Sequence, residues 1–346
     1  MKVIVNAEKL KRIVLHIDKV CGTVEPINRL VGVSYDNGNL VFYGGDGCFS
    51  VKAEVSEMNP TSLRFSTSLD ILKYFISELK GNVLIYSDGN FVTFKVKEEN
   101  LKIRVGKFRF EKFEDRFDVI SKISNTFFIK DLDFVSSHLE EGSMVDLFFG
   151  NKTKMAAESR DIICYVSRDA IENNSSIFWS IPYYSSRHIV KSLKDDSVRE
   201  LLVGKGLNYL IFKGEFLYNL CGEEIKENKL IFIEEEIKNG KIIAKIGASH
   251  FKHYLRRSMI LGRNSQVKIS GSRNGIFFYT FSRGMEYKGV LETKIESPFT
   301  TIVNAYFFRS ALNRIGGENL QIFLGKSHLI ISTVQKRRFI LLPLVQ

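Results

Sequence analysis

Two stretches of the sequence contain residue types that bind phosphate or metal ions in other proteins. Gly325-Lys326-Ser327 has the ending of a phosphate-binding P-loop, but Leu320 stands where that motif requires its first glycine. Gly44-Gly45-Asp46 is followed by glycine and cysteine, so the second carboxylate that a metal site would need is absent. Both stretches lie between strand-like runs, and we predict that both are tight turns.

Two further clusters contain the residue types of a metal or acid–base site. His250 and His253 are three residues apart on a predicted helix and so share one of its faces. They have no third ligand, and neighbouring arginines disfavour a bound cation. Glu234-Glu235-Glu236 are consecutive, so they cannot all converge on one site, and we predict a solvated connector there. No nucleophile is paired with a base, and we expect no catalytic residue, no cofactor and no metal ion.

The composition is that of a folded chain without a membrane span. Hydrophobic residues make up 44% and charged residues 26% of the 346 residues, which is ordinary for a globular protein. No apolar run reaches the ~18 residues that a spanning helix needs. The first eight residues are too polar for a signal peptide. We therefore expect a cytoplasmic protein with no membrane contact.

The four cysteines are far apart in the sequence and form no CxxC pair: Cys21, Cys48, Cys164 and Cys221. A zinc site or a disulfide framework would need clustering that is absent. We predict that all four are small side chains that are buried or half-buried.

The net charge of +11 is concentrated in the last third of the chain. Residues 1–121 carry 18 basic and 16 acidic side chains, residues 122–240 carry 15 and 19, and residues 241–346 carry 17 and 4. The net charges of the three parts are therefore +2, −4 and +13. Such an excess favours an anionic partner such as nucleic acid.

One pattern of elements occurs three times along the chain, which predicts three domains with boundaries at 1–121, 122–240 and 241–346. Each copy has a short strand, an amphipathic helix, a strand-rich hairpin, a second amphipathic helix and further strands. The predicted helices are Ala7–Val20, Ser68–Lys80, Lys130–Glu140, Tyr183–Lys194, Ser249–Ile260 and Ala305–Ile315. Turn signals such as Asn37-Gly38 and Asp88-Gly89 recur in step. The predicted fold class is α+β, with helices packed on antiparallel sheets.

Basic residues recur on one face of five of the six predicted helices, and the third helix is the exception. A solvated face is the alternative for any single helix. A face repeated in this way suits contact with a phosphate backbone, which carries no sequence information. The candidate DNA contacts are Lys9, Arg12, Lys19, Lys73, Lys80, Arg187, Lys191, Lys194, Lys252, Arg256, Arg257, Arg309 and Arg314.

In order and spacing these features resemble the bacterial DNA polymerase III beta subunit, the beta sliding clamp. The resemblance covers all three repeats and is carried by the opening Met1–Val5, the Tyr43-Gly44-Gly45-Asp46 hairpin and the closing Arg338–Leu344. It implies a homodimer that closes head to tail into a ring, with helices lining a hole around double-stranded DNA. Such a ring would tether the replicative polymerase at the nucleoid and perform no catalysis.

The resemblance also implies two protein-binding sites. Polymerase and clamp loader would insert short linear peptides into a pocket that includes Ile162, Leu342, Pro343 and Leu344. The sequence departs from the family here, because Glu158–Ile162 replaces a Thr-Asp-Gly-His-Arg-Leu-like stretch and Val345-Gln346 replaces Arg-Leu. The dimer interface would join Leu101 and Ile103 to Ile260 and Leu261, with ordinary core packing as the alternative.

Two other functions remain open at the level of sequence. A monomeric, non-ring processivity factor would hold DNA by charge alone, which suits the very basic last third. A nucleic-acid enzyme is the other alternative, but no carboxylate cluster predicts one.

Overall fold

The computed structural model describes residues 2–21, 29–36, 38–56, 63–225, 229–282 and 284–345, so Asn37 of the predicted turn lies outside it. The chain forms two compact units. Unit 1 comprises Met1–Thr126 with His188–Gly222, and unit 2 comprises Phe127–Arg187 with Glu223–Gln346. No described helix is long and apolar enough to cross a membrane.

The order of elements repeats three times, as predicted, and the fold is α+β with antiparallel sheets. The first repeat has β1 Lys2–Asn6, α1 Ala7–Asp18, β2 Leu30–Asp36, β3 Asn39–Asp46, β4 Phe49–Ser56, β5 Arg64–Ser68, α2 Leu69–Ile76, β6 Asn82–Ser87, β7 Phe91–Val96 and β8 Glu99–Arg104. The second has β9 Asp118–Ser124, α3 Asn125–Val135, β10 Met144–Phe149, β11 Lys152–Ser159, β12 Ile162–Asp169, β13 Glu172–Asn173, β14 Ile177–Pro182, α4 Tyr183–Leu193, β15 Glu200–Lys205, β16 Leu210–Lys213, β17 Leu217–Leu220 and β18 Glu223–Glu224.

A further helix, α5 Lys229–Asn239, precedes the third repeat. That repeat has β19 Lys241–Gly247, α6 Ala248–Ser258, a 3-10 turn Met259–Leu261, β20 Gln266–Ser272, β21 Gly275–Ser282, β22 Met285–Glu292, β23 Phe299–Asn304, α7 Ala305–Arg314, β24 Asn319–Leu324, β25 His328–Thr333 and β26 Arg338–Pro343. The domain boundaries stay a prediction, because the compact units do not follow them.

Helices α1 and α7 each start where a strand ends and an asparagine side chain caps the backbone. The Asn6 side chain accepts hydrogen bonds from the backbone N–H groups of Glu8 and Lys9, which stabilises the start of α1. Asn304 caps α7 in the same way. The predicted apolar face of α1 is confirmed, because Leu10, Ile13, Val14 and Ile17 are buried.

Each unit contains one short and one long sheet. In unit 1 the short sheet has the order β1-β6-β7-β8, and the long one runs β9-β15-β16-β17-β4-β3-β2-β5. In unit 2 the short sheet has the order β22-β21-β20-β23, and the long one runs β18-β14-β10-β11-β12-β26-β25-β24-β19. Strands of two different repeats therefore lie side by side in each long sheet, while β8 and β22 each lie at the edge of a short sheet.

The prediction for the third helix is wrong by five residues, since the helix is Asn125–Val135 rather than Lys130–Glu140. The hydroxyls of Ser136 and Ser137 each donate to a backbone carbonyl of the last helical turn, at 2.7 Å. Serines that satisfy these carbonyls compete with continuation of the helix. The apolar pattern continues beyond that point and does not mark the end.

The segment Glu234-Glu235-Glu236 connects the second and third repeats as predicted, but it is part of helix α5 and is not fully solvated. Leu230 and Ile233 on this helix are buried, and so is Glu236. The predicted turn at Gly325 is confirmed, since its N–H donates to the carbonyl of His328 between β24 and β25. Gly44 and Gly45 instead lie within β3, and the turn follows them.

Cys48 and Cys221 form a disulfide, which corrects the prediction that all four cysteines are unpaired. The two residues are 173 positions apart, but pairing of β4 with β17 makes them neighbours, with their Cα atoms 4.9 Å apart. Cys21 and Cys164 are free and buried, as predicted.

A buried carboxylate stabilises unit 2. Asp131 on α3 is 2% exposed and accepts hydrogen bonds from the guanidinium groups of Arg168 on β12 and Arg338 on β26. Bidentate pairing of this kind offsets the cost of removing the charges from water. Asp133 on the same helix also pairs with an arginine, Arg314, but its side chain is 43% exposed.

We expect Asp131→Asn to lower the free energy of unfolding by about 3 kcal/mol, because two half-buried arginines lose their counter-charge. Asp133→Asn is the matched control and should cost under about 1 kcal/mol, since exposed ion pairs contribute little. Denaturant unfolding of both variants measures the difference. Equal losses would show that the Asp131 network does not stabilise the unit.

Candidate nucleic-acid interface and strand joints

Ten of the predicted DNA-contacting residues lie on the helices, and Lys19 and Lys194 directly follow α1 and α4. Lys80 lies four residues beyond α2, because that helix ends at Ile76 rather than at Lys80 as predicted. The predicted residues divide into two groups. Four make ion pairs with acidic residues: Arg12 with Glu215, Lys19 with Asp195, Lys73 with Asp18, and Arg314 with Asp133. The other nine have no ion pair with a residue that the structure describes: Lys9, Lys80, Arg187, Lys191, Lys194, Lys252, Arg256, Arg257 and Arg309. The second group offers charge to a partner without first breaking an ion pair.

Basic residues from three helices of unit 1 lie around one shallow depression of ≈ 540 Å³. Its lining includes Lys19 beside α1, Lys73 of α2, and Lys191 and Lys194 at the end of α4. Asp18 and Asp195 lie between them and moderate the local charge. The sequence placed these lysines on separate helices, and the fold brings them together.

The α6 helix carries three basic residues in unit 2. Arg256 and Arg257 are exposed, whereas Lys252 is partly buried, and this burial lowers the pKa of its ammonium group. His250 and His253 on the same helix are exposed. In the part of the chain that the structure describes, no three His, Cys, Asp or Glu side chains are grouped so that they could hold a metal ion.

Two antiparallel ladders join strands of different repeats, and we call them the first and second joints. In the first joint β4 pairs with β17, and Phe49 lies opposite Leu220. In the second joint β12 pairs with β26, and Ile163 lies opposite Leu341. Each joint lies within one compact unit.

The two joints use equivalent positions. Each joining strand follows a two-residue hairpin turn and begins with Phe49 in the first joint and Ile162 in the second. Extension of the second ladder by one residue brings Ile162 opposite Leu342, just as Phe49 lies opposite Leu220. The strand register is therefore the same in both joints.

The third repeat has the same hairpin, but among the described residues no further strand pairs with β22. Its two-residue turn is followed by Met285, which corresponds to Phe49 and Ile162. Phe49 and Ile162 are each 1% exposed, whereas Met285 is 52% exposed. A position that is buried at two joints is thus open to solvent at the edge strand β22.

Buried hydrogen bonds connect β17 of the first joint with helix α1. The Tyr218 hydroxyl donates to the Asp196 carboxylate at 3.0 Å and lies 3.1 Å from Nε2 of His16 on α1. The His16 ring stacks on Phe216. Burial, and to a smaller extent the nearby Lys19, lowers the pKa of His16 to about 4. Because this imidazole is neutral near pH 7, it does not add to the basic face of α1.

The predicted peptide-pocket residues lie along the second joint, but two of them are not accessible. Ile162 is 1% exposed and Leu342 is 0% exposed, because both side chains are inside the sheet–helix layer. Pro343 and Leu344 are half-buried, and the Leu344 N–H donates to Ser327. Side chains other than these four line the open cleft nearby, which measures ≈ 1010 Å³. They include Ala157, Ile163, Phe232 and Ile233.

The predicted interface residues differ in accessibility. Ile260, in the turn after α6, is 78% exposed, and Leu261 is half-buried. On β8, Leu101 is half-buried and Ile103 is 9% exposed. Ile103 therefore packs mainly inside its own domain, and the backbone edge of β8 is the accessible part of that strand.

Comparison with known proteins gives a match in structure and none in sequence. No family model and no curated protein match the chain. A DNA polymerase III subunit beta from Pseudomonas aeruginosa superposes with a TM-score of 0.84 at 12% identity, covering 100% of both chains. The beta subunit from Thermotoga maritima gives 0.79 at 14% identity, covering 100% of this chain and 99% of the other. The Helicobacter pylori beta clamp bound to a DNA ligase peptide gives 0.76 at 14% identity, covering 100% of both.

The chain thus has the DNA-clamp fold over its whole length, which confirms the predicted fold class. The structures that it matches are bacterial DNA polymerase III beta subunits, so the resemblance noted in its sequence motifs is confirmed at the level of the fold.

We expect the triple variant Lys252→Ala, Arg256→Ala, Arg257→Ala to bind duplex DNA more weakly and with a flatter salt dependence. Each lost phosphate contact reduces the slope of log K against log[salt] by about 0.9, so the slope should fall by up to ~2.7. Fluorescence anisotropy at several salt concentrations measures this slope. The control triple Arg12→Ala, Lys19→Ala, Arg314→Ala removes ion-paired residues and should change it less. An unchanged slope in the α6 variant would exclude phosphate contact by that helix.

We expect the free energy of unfolding to fall as the pH drops from about 6.5 to about 4. His16 and His138 are buried, and burial lowers the pKa of each to about 4. In that window the unfolded chain binds protons that the folded chain does not, so stability rises with pH at up to about 1.4 kcal/mol per pH unit for each histidine. Above pH 6.5 both states are neutral and this contribution is constant. Denaturant titrations of the wild type and His16→Phe measure the slope, which should be shallower in the variant.

Proposed function

We propose that this chain is a DNA sliding clamp that encircles duplex DNA and tethers a replicative polymerase without any catalysis of its own. One observation carries the proposal: β8 and β22 are unpaired edges equivalent to strands that are paired at the first and second joints. An exposed strand edge with unsatisfied N–H and C=O groups is a site for pairing with another chain. The partner that fits is a second copy, because it supplies the strand that is missing.

We call the proposed pairing of β22 with β8 of a second copy the third joint. The equivalence of the hairpins in the three repeats also gives its register. Ile103 on β8 pairs with Val92, and its place in the hairpin corresponds to Leu220 and Leu342. Met285 of one chain would then lie opposite Ile103 of the partner subunit. The next residue, Glu286, would lie opposite the partner's Lys102, so opposite charges would meet.

The chemistry at this edge favours association. Met285 and Ile260 are large apolar side chains that are exposed in the single chain, and the joint would remove them from water. A head-to-tail contact of this kind closes into a ring when the rotation allows. Two copies would give six repeats, and we propose that they close as a homodimer.

Duplex DNA is the proposed occupant of the ring. The nine basic residues without ion pairs are spread over helices of all three repeats, and they would make many weak contacts with phosphates. Such contacts carry no sequence information, so the ring could slide while its closure prevents release. A protein that encircles chromosomal DNA would be located in the cytoplasm, at the nucleoid.

Polymerase and clamp loader would bind through short linear peptides. The accessible apolar side chains beside the second joint are Ile163 and Phe232 in the open cleft, and we propose this cleft as the peptide site. Ile162 and Leu342 would support the floor of the cleft from within rather than touch the peptide. The Helicobacter pylori clamp with its ligase peptide provides a solved example of such a complex.

A monomeric processivity factor is the second candidate, and the net charge of +13 in residues 241–346 favours it. Such a protein would hold DNA by charge alone, and its β8 and β22 edges would remain unpaired at all concentrations.

We expect the double variant Lys102→Cys, Glu286→Cys to form a covalent dimer on mild oxidation. These positions correspond to Ser50 and Asn219 of the first joint, two residues along each strand from the Cys48–Cys221 disulfide. A cross-strand pair in this position brings the sulfur atoms within bonding range. Non-reducing gel electrophoresis should show a species of twice the 39.7 kDa chain mass.

The control for register is Lys102→Cys, Glu292→Cys, which places the second cysteine six residues further along β22. It should give little covalent dimer. Equal cross-linking in both variants, or none in the first, would contradict the proposed third joint.

A further inference from the structure

The chain itself covers the outer face of the first joint, where the outer face is the side of the sheet that carries Tyr43. Residues 107–117 lie across it, and the Tyr43 ring packs against the rings of Phe108, Phe110 and Phe113 at centroid distances of 5.5, 5.9 and 5.5 Å. Lys52, the cross-strand neighbour of Tyr43, donates to the Asp115 carboxylate of this segment at 3.3 Å. The covering segment thus supplies apolar rings and one carboxylate.

Helix α5 covers the outer face of the second joint in a similar way. Leu230 and Ile233 of the helix pack in one cluster with Ala156 on β11. Tyr165, the cross-strand neighbour of Ala156, donates its hydroxyl to the Glu234 carboxylate of the helix at 2.5 Å. A different secondary structure therefore provides the same combination of apolar side chains and one carboxylate.

The equivalent face of the third repeat is bare among the described residues. Tyr279 and Lys288 are cross-strand neighbours on β21 and β22, and they correspond to Tyr43 with Lys52 and to Ala156 with Tyr165. On this β21 face the exposed apolar side chains are Phe277 at 39%, Tyr279 at 37%, Phe281 at 61%, Val290 at 42% and, on β23, Ile302 at 40%. A row of exposed aromatic residues at alternate positions is a surface to which a partner can bind.

The hydrogen bond made at the position of Lys288 indicates which partner. Lys52 in the first joint and Tyr165 in the second occupy this position, and each donates to a carboxylate of the covering segment. Lys288 itself is 70% exposed and contacts Glu286 and the Tyr279 ring within its own hairpin. Lys268, on the other side of Tyr279, is also exposed. The face therefore combines aromatic rings with the ammonium groups of Lys268 and Lys288. The carboxylates of Glu286 and Glu292 lie on the same side of β22 and are also exposed.

We propose that the β21 face binds an acidic peptide segment of a partner protein. The segment places apolar side chains on Phe277, Tyr279 and Phe281, and it presents a carboxylate to Lys288. The site belongs to one chain and goes beyond the proposed clamp function, because the face exists whether or not a ring forms. It is separate from the peptide cleft beside the second joint.

The natural segment is unidentified, so the probe is a fluorescein-labelled synthetic peptide with the sequence of Leu230–Asn239, which fills the equivalent face at the second joint. Fluorescence anisotropy with the full chain should show saturable binding. Phe281→Ser and Lys288→Glu should each weaken it about tenfold or more, because each removes a central contact. A probe with lysine in place of Glu234 should regain affinity for Lys288→Glu.

Matched controls lie outside the face. Leu207→Ser removes an apolar side chain that is 91% exposed, and Lys294→Glu reverses an exposed charge, so both should bind the probe like the wild type. No binding by the wild type, or equal affinity for Phe281→Ser, would overturn the proposal. Oligothymidylate that binds the wild type and not Phe281→Ser, while the peptide fails to bind, would overturn it and assign the face to single-stranded nucleic acid.

Ring closure is read separately, through the covalent dimer of Lys102→Cys, Glu286→Cys. Absence of probe binding with intact cross-linking would contradict the proposal for the β21 face and leave the third joint unaffected. Probe binding without cross-linking would contradict the third joint and leave the β21 face unaffected.

Discussion

The pairing of strand edges between repeats is the interaction on which the rest of the structure depends. A strand edge exposes N–H and C=O groups that need partners, and the first and second joints provide them within the chain. β4 with β17 and β12 with β26 use the same register after the same two-residue turn. The joints hold the helices of neighbouring repeats together, as shown by the ion pair of Arg314 on α7 with Asp133 on α3. They leave β8 and β22 as the edges on which the proposed assembly rests.

The joints also explain where the connecting segments lie. Residues 107–117 and α5 link consecutive repeats, and each covers the outer face of a joint with apolar side chains and one carboxylate. The third joint would form between chains, so no connecting segment is available to cover it. The exposure of Tyr279 and Lys288 follows from this topology, and the proposed peptide would take the place of a connector.

Periodicity and turn residues predicted the repeats, because they report local structure. The apolar face of α1 and the turn at Gly325 are examples, and the order of elements follows from such signals. The end of α3 was not predictable from apolar spacing, because two serine hydroxyls end the helix while the pattern continues. Helix α5 was missed because three consecutive glutamates suggest solvent, although Glu236 is buried and Glu234 accepts a hydrogen bond from Tyr165.

The candidate sites were predictable to the extent that they depend on one helix at a time. Ten of the thirteen basic residues lie on the helices as expected. The ion pairs of Arg12 and Lys19 depend on acidic residues about 200 and 175 positions away, which no local pattern reveals. Long-range strand pairing explains the other misses. It makes neighbours of Cys48 and Cys221, and it buries Ile162 and Leu342 in the sheet where a pocket wall was expected.

The central claim is that the open edges of one chain pair with those of a second copy. The most direct test is the mass of the wild-type protein in solution, measured by light scattering across a dilution series without DNA. The account predicts a mass of twice 39.7 kDa that falls to the monomer value only at high dilution. A monomer at every concentration would contradict the ring and leave the basic last third of the chain as the main contact with DNA.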